Sequence, residues 1–174
     1  MDFLELAKAR YSCRKFTSQP VEDEKLAKIL EAANLAPTAA NMQPIHIWVV
    51  RTAENLQKVY DSTPYNFGAS TVIIVGGDNS AARKPEEKDD FINFAMVNGS
   101  IVATHIILAA KSLGLDSAWV AFVDRIKLKK YFPEMSGYTL ISIIPIGYAS
   151  HDPDGQPHKW HNHRKGVDAI TTWL

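Results

Sequence analysis

The sequence predicts an α+β fold, and three observations carry that expectation. Helical and extended patterns alternate along the chain without the regular strand–helix–strand period of a doubly wound sheet. Thr71-Val72-Ile73-Ile74-Val75 is a continuous apolar, β-branched run, the pattern of a strand covered on both faces. The stretch from Phe91 to Leu113 has helical patterning and is apolar almost all round in its second half, so it reads as a long central buried helix.

The remaining elements follow in order. Asp2 and Glu5 have the spacing of a capping box that opens a first helix, with Phe3, Leu4 and Leu6 as its apolar residues. A second helix is predicted from about Val21 to Leu35: Leu26, Ile29, Leu30 and Ala33 fall on one side, and Pro37 ends it. Ile45 to Val50 reads as a strand. A short helix near Glu54 to Tyr60 turns Leu56, Val59 and Tyr60 inward. Arg83 to Asp90 is densely charged with both signs, a solvated loop or helix lead-in. Gly114 stops the long helix. Ser117 to Val120 reads as a short strand, Asp124 caps a brief basic helix through Lys130, and Thr139 to Ile144 is a further buried strand. No repeat, low-complexity tract or Pro/Gly/Ser linker divides residues 1–174, which read as one domain.

Composition excludes more than it selects. With 46% hydrophobic residues, the 174-residue chain can bury a core. Nineteen Lys and Arg balance nineteen Asp and Glu, so there is no global argument for a nucleic-acid or anionic-membrane partner, and any anion site must be local. The single cysteine, Cys13, cannot form an intramolecular disulfide. The acidic start lacks signal-peptide character, and Ile101 to Leu113 falls short of the roughly 20 apolar residues a bilayer requires. A cytoplasmic protein is the expectation.

P-loop, CxxC, HExxH, GxSxG and GxGxxG patterns are all missing. Four segments stand out instead. Arg10-Tyr11-Ser12-Cys13-Arg14-Lys15-Phe16 concentrates positive charge beside a hydroxyl donor, as a phosphate site requires; alone it could equally be a solvated basic turn. Ala36-Pro37-Thr38-Ala39-Ala40-Asn41-Met42-Gln43-Pro44 is stiffened by two prolines and offers Thr38, Asn41 and Gln43 as neutral hydrogen-bonding groups for the edge of a planar heterocycle; alone it is a helix-to-strand connection. Leu113 to Ala121 sets small residues beside Trp119, which permits close backbone approach to a ligand, or simply builds a buried strand. Pro145-Ile146-Gly147-Tyr148-Ala149 ends the last strand and leads to His163-Arg164-Lys165. There Arg164 could close over a phosphate or sit free in solvent.

In this order the four segments resemble the nitroreductase family of FMN enzymes, in a compact version. The family's Arg-x-Ser-x-Arg-x-Phe opening is matched at Arg10, Ser12, Arg14 and Phe16. Its Ala-Pro-Ser-x-x-Asn-x-Gln-Pro loop is matched from Ala36 to Pro44 with Thr38 in place of the serine, and the Leu-Gly-Leu and Pro-Ile-Gly-Tyr runs are present. The resemblance implies a nitroreductase-like α/β sandwich, with a mixed central sheet flanked by helices, and an interlocked homodimer with FMN at the interface.

It further implies roles for single residues. Arg10 and Ser12, with Tyr11 between them, would hold the FMN phosphate and ribityl chain, joined by Arg164. Arg14 would lie by the N1–C2 carbonyl edge, where two-electron reduction leaves negative charge. Pro37, Thr38 and Ala39 would pack on the isoalloxazine from the other subunit, in the same loop as Asn41 and Gln43. Trp119, Val120 and Ala121 would cover the opposite side, with a backbone N–H, that of Ala121, facing flavin N5. Two departures stand against the pattern. Ala121 and Phe122 replace a common acidic residue and glycine, and the short Tyr65–Ser70 stretch gives no place for a further polar flavin contact.

The expected activity is ping-pong hydride transfer from NADH or NADPH to an electron-poor acceptor such as a nitroaromatic or quinone. The chemistry sits on flavin N5, and no protein acid or base is assigned. The alternative is a non-catalytic FMN-binding sensor or flavin reservoir whose acceptor pocket is blocked by Trp119 or Phe122. Cys13 reads as a small buried hydrophobe rather than a redox centre, and His105 as a core or interface histidine. The tail histidines His151, His158, His161 and His163 read as a flexible polar tail, with metal ligation the lesser alternative.

Overall fold

A computed structural model describes residues 2–86, 88 and 92–174, and among the described residues, besides short 3-10 turns, there are five α-helices and four β-strands. They are α1 (Phe3–Ala9), α2 (Asp23–Asn34), β1 (Ile45–Val50), α3 (Ala53–Tyr60), β2 (Thr71–Asp78), α4 (Phe94–Ser112), β3 (Asp116–Ser117), α5 (Arg125–Tyr131) and β4 (Tyr138–Gly147). The expectations placed on Glu87, Asp89, Asp90 and Phe91 lie outside the described residues.

Local chemistry accounts for the helix ends. The capping box forms: the Glu5 N–H donates to the Asp2 carboxylate at 2.8 Å, and Glu5 in turn accepts from the Asp2 N–H at 3.2 Å. Asn93 caps α4 through the Met96 N–H, and Gly114, with φ of 77°, takes the left-handed turn that ends it. Asp124 caps α5 through the Lys127 N–H, as its position suggested.

The sheet order is β1-β2-β4-β3, and every ladder between these strands is antiparallel. The parallel component expected of a mixed sheet is a single isolated bridge, Ser12 to Ser117. That bridge matters, because it brings the Arg10–Phe16 segment against β3. The short strand expected over Ser117–Val120 is narrower: β3 covers Asp116–Ser117, and Val120 re-pairs alone with Ile143 of β4. Between them Trp119 turns out to solvent.

Successive side chains of β2 and β4 separate into two cores, which is why both strands are apolar throughout. Ile73, Val75, Ile144 and Ile146 pack with Leu26 and Ile29 of α2 and Val102, Ile106 and Ile107 of α4. Val72, Ile74, Leu140 and Ile143 pack on the other face with Val59, Leu128, Phe132 and Met135. Each fully buried aliphatic side chain contributes about 1.5–3 kcal/mol. The 19-residue α4 is long and apolar enough, by length and composition, to cross a membrane. Here it is a packed helix lying against α2, β2 and β4, with His105 Nδ1 3.0 Å from the Ile101 carbonyl of the turn before.

Gly76 and Gly77 form part of β2 rather than a ligand loop. A Cβ on Gly77 would sit 2.6 Å from the Ala95 carbonyl oxygen, so glycine there lets the first turn of α4 approach the sheet.

Candidate functional site

The Arg10–Phe16 segment is threaded between β3 and the tail. The Cys13 N–H donates to the Ser117 carbonyl (3.0 Å), the Arg14 N–H to the Asp154 carbonyl (3.2 Å), and the Phe16 N–H to the Phe67 carbonyl (3.0 Å). The Tyr11 hydroxyl donates to the Gly155 carbonyl at 3.0 Å. The Lys111 ammonium pairs with Asp116 at 2.7 Å and lies 4.8 Å from the centre of the Tyr11 ring. Lys15 pairs with Asp152 at 2.5 Å. The basic turn is therefore fixed from three sides.

This threading opens two clefts. The first, about 170 Å³, is lined by Arg10, Tyr11, Ser12, Arg14, His158, Trp160, His161 and Arg164, with no carboxylate among them. Arg10 and Arg164 converge there from opposite ends of the chain. Burial, and next the charge of Arg164, hold the Arg10 guanidinium below the ordinary arginine range. His161 pins the tail over the cleft, its Nε2 lying 2.9 Å from the Lys8 carbonyl. Two like charges held together without a counter-charge favour a multiply charged anion.

The second cleft, about 260 Å³, is lined by Ser12, Arg14, Tyr65, Phe67, Ala118, Trp119, Val120, Ala121 and Phe122. Tyr65 meets Phe67 and Phe122 ring to ring, at 5.9 and 6.0 Å between centroids. Ser12 and Arg14 line both clefts, so the anion end and the aromatic end adjoin. Each alone is below the roughly 300 Å³ usual for a ligand pocket; joined, they exceed it. Along the Val120–Val123 wall the Val120 carbonyl is taken by the Ile143 N–H and the Ala121 carbonyl by the Val123 N–H. No acceptor among the described residues meets the N–H groups of Ala121 and Phe122. They are free donors beside a cleft shaped for a flat aromatic group.

The sequence-selected residues thus divide. Arg10, Tyr11, Ser12, Arg14 and Arg164 meet at the first cleft, and Trp119, Val120 and Ala121 line the second. Pro37, Thr38, Ala39, Asn41 and Gln43 reach neither within one copy of the chain. Thr38 and Gln43 instead line a separate cleft of about 390 Å³ between α2 and β1, and Gln43 Nε2 donates back to Asn41. Tyr65, Phe67 and Trp160 were not expected in the site from sequence, and His158 and His161 were expected only in a polar tail or, less so, as metal ligands. The first two lie in the stretch where no polar contact could be placed, and their aromatic character was the available signal. His158 and His161 line the anion cleft, and no group of three His, Cys, Asp or Glu among the described residues is arranged to hold a metal. Cys13 is fully buried, with its thiol donating to the Lys15 carbonyl at 3.2 Å. Burial pushes that thiol up to about 11.

A family model described as "Nitroreductase family" matches residues 7–65 and 61–148. A relative from Methanothermobacter thermautotrophicus, provisionally named NADH dehydrogenase/NAD(P)H nitroreductase, is 35% identical over 160 residues, covering 88% of this chain and 80% of the relative. A solved nitroreductase family protein from Clostridium difficile 630 superposes with a TM-score of 0.90 at 32% identity, covering 99% of this chain and 98% of the other. A structure from Clostridium difficile R20291, described as an FMN-dependent nitroreductase, superposes at 0.73 with 28% identity over 86% and 89% of the two chains.

Proposed function

Given that the chain belongs to the nitroreductase family, we propose that it is an FMN-dependent oxidoreductase passing hydride from NADH or NADPH to an electron-poor acceptor such as a nitroaromatic or quinone. One observation carries this reading: an anion cleft with two converging guanidinium groups and no carboxylate runs through Ser12 and Arg14 into an aromatic cleft with free backbone donors. A phosphate joined by a polar chain to a planar heterocycle has the same order of parts, and the residues present fit FMN.

Each residue's task follows from its place. Arg10 and Arg164, with the Ser12 hydroxyl, bind the phosphate; charge-assisted bonds of this kind are the strong ones. Arg14 sits where the clefts join and offers a fixed positive charge to the ring's carbonyl edge. Tyr65, Phe67 and Trp119 shape an apolar wall, and the free N–H groups of Ala121 and Phe122 supply donors to the ring's heteroatom edge. Bound FMN supplies the two-electron chemistry at N5. The protein binds, orients and partly shields that position, and no side chain is assigned as acid or base.

The dimer is part of the proposal. The Pro37–Gln43 loop lies outside its own protomer's clefts, as it would if it served a partner's. Apolar surface is left over for an interface: Met96, Val97 and Ile101 of α4 line an open depression with Trp119, and Ile170, Trp173 and Leu174 of the tail are exposed. Phe122, 70% exposed, rims the aromatic cleft rather than filling it, which favours turnover over the sensor or reservoir reading.

The test is reconstitution with FMN followed by anaerobic titration with NADH and NADPH, watching the visible flavin band. Bleaching, then recovery on adding a quinone, supports the proposal. A chain that retains FMN but turns over no acceptor returns the reservoir reading; one that does not retain FMN ends both. Parallel lines in two-substrate kinetics support the ping-pong scheme and intersecting lines oppose it, while light scattering on the FMN-loaded protein tests for a dimer.

A further inference from the structure

We infer that Arg125 is a positioning residue: by holding the Ala121 carbonyl it turns the Ala121–Phe122 peptide so that its N–H is presented to the aromatic cleft. The inference rests on the FMN reading above and adds a residue outside both clefts.

Arg125 occupies the first position of α5, where a cation opposes the positive end of the helix dipole. Among the described residues it has no carboxylate partner. Its guanidinium is spent on main-chain oxygens instead. Nε donates to the Leu140 carbonyl at 2.7 Å, and Nη2 to the carbonyls of Ala121 at 3.0 Å and Ile141 at 3.3 Å. Nη1 lies 3.4 Å from the Val123 carbonyl. A residue that breaks a local electrostatic rule, yet is anchored by several hydrogen bonds, is a candidate for a role beyond its own helix.

Peptide planarity gives the consequence. The C=O and N–H of one peptide unit point opposite ways. The Val120 carbonyl is drawn to β4 by the Ile143 N–H, and the Ala121 carbonyl is drawn toward the β4 backbone by Arg125, which holds Leu140 and Ile141 with the same guanidinium. Two successive N–H groups, those of Ala121 and Phe122, are therefore turned away from β4, and both lack an internal acceptor. The Phe122 carbonyl is held separately, by the Thr63 hydroxyl at 2.7 Å. Without Arg125 the Ala121 carbonyl keeps only the Val123 N–H, a tight three-residue turn that does not tie the peptide to the sheet. The planar, forked guanidinium is what reaches four carbonyls at once, which a lysine ammonium does not reproduce.

The experiment compares wild type, Arg125→Met, Arg125→Lys and Thr63→Val as FMN-loaded proteins. The readouts are FMN affinity by fluorescence, the two-electron midpoint potential of the bound flavin, and thermal stability. A donor to the ring stabilises the oxidised form, whose N5 accepts, over the form whose N5 carries hydrogen. Arg125→Met is expected to keep affinity for reduced FMN within about threefold, because the phosphate contacts are intact. It is expected to weaken binding of oxidised relative to reduced FMN about tenfold, raising the potential by about 30 mV for a two-electron couple. Arg125→Lys moves the same way, less far, and remains the test if the Met variant does not fold. Thr63→Val loosens the same loop but leaves the Ala121 carbonyl alone, so it lowers stability without moving the potential. An unchanged potential in both Arg125 variants overturns the inference, as does an equal shift in Thr63→Val. Failure of wild type to retain FMN instead removes the reading beneath it.

Discussion

Arg10 and Arg164, drawn from opposite ends of the chain, face one cleft with no carboxylate between them, and burial together with the Arg164 charge disfavours the charged form of Arg10. A phosphate dianion relieves that repulsion. Replacing Arg164 with Ala is expected to weaken FMN about tenfold to hundredfold, the range for one hydrogen bond to a charged group. Riboflavin, which lacks the phosphate, is expected to bind both proteins alike. Fluorescence titrations at low and high salt measure this, and an equal loss for both ligands would place Arg164 elsewhere.

Cys13 and Tyr60 make alkaline pH the weak side of stability. Burial raises the Cys13 thiol to about 11 from an ordinary 9.0, and the Tyr60 hydroxyl to about 12 from 10.0. Both groups are neutral when folded and ionise more readily when unfolded. Their stabilising contributions are complete below pH 9 and are lost as pH rises from 9 toward 12. Urea unfolding is expected to give a flat stability up to about pH 9 and a decline above it, less steep at its onset in Cys13→Ser. That variant is expected to bind FMN like wild type, and the native thiol to resist a disulfide reagent at pH 8; rapid labelling would refute its burial.

Much of this was legible in the chain because the signals are local. The Asp2–Glu5 capping box, the Ile45–Val50 strand and the Gly114 stop depend on residues within a few positions of each other, and the structure has all three. The meeting of Arg10 with Arg164 became readable only through a family pattern, since nothing local links residues so far apart. What stayed hidden depends on tertiary contact. Tyr65 and Phe67 become a cleft wall only through tertiary contact, with Phe122 packed edge-on against Tyr65. Arg125 looked like one more cation in a basic helix until its carbonyl partners were in place.

Gly77 and Gly99 test how closely α4 is pressed on the sheet. A Cβ at Gly77 would lie 2.6 Å from the Ala95 carbonyl oxygen, which is backbone and cannot step aside. At Gly99 it would lie 2.7 Å from the Ile141 side chain, which is not backbone and has more room to shift than the Ala95 carbonyl. Gly77→Ala is therefore expected to cost about 3 kcal/mol, the upper part of the usual overpacking range, and Gly99→Ala about 1 kcal/mol. Denaturant unfolding of the two variants gives the order, and a reversed order would mean that α4 shifts more easily than the Ile141 side chain.

The Thr38–Gln43 loop carries its strain openly. Ala40, Asn41 and Gln43 have φ of 52°, 53° and 50°, a region that costs a side chain roughly 1–2 kcal/mol per residue. What holds it is Asn98 on α4, fully buried, whose carbonyl oxygen accepts the Ala39 N–H at 3.0 Å. Two substitutions should act with opposite sign. Ala40→Gly removes the Cβ that the left-handed turn disfavours and is expected to stabilise by up to about 1 kcal/mol, despite the greater freedom glycine gives the unfolded chain. Ala27→Gly, on the exposed side of α2, is expected to destabilise by about 1 kcal/mol. Asn98→Ala leaves the Ala39 N–H without its acceptor and is expected to cost about 1–3 kcal/mol. Because the loop is proposed to serve a partner's flavin, the Asn98 variant is also expected to lose FMN more readily from the dimer. Loss of stability with FMN affinity unchanged would detach the loop from the cofactor and leave it a purely structural turn.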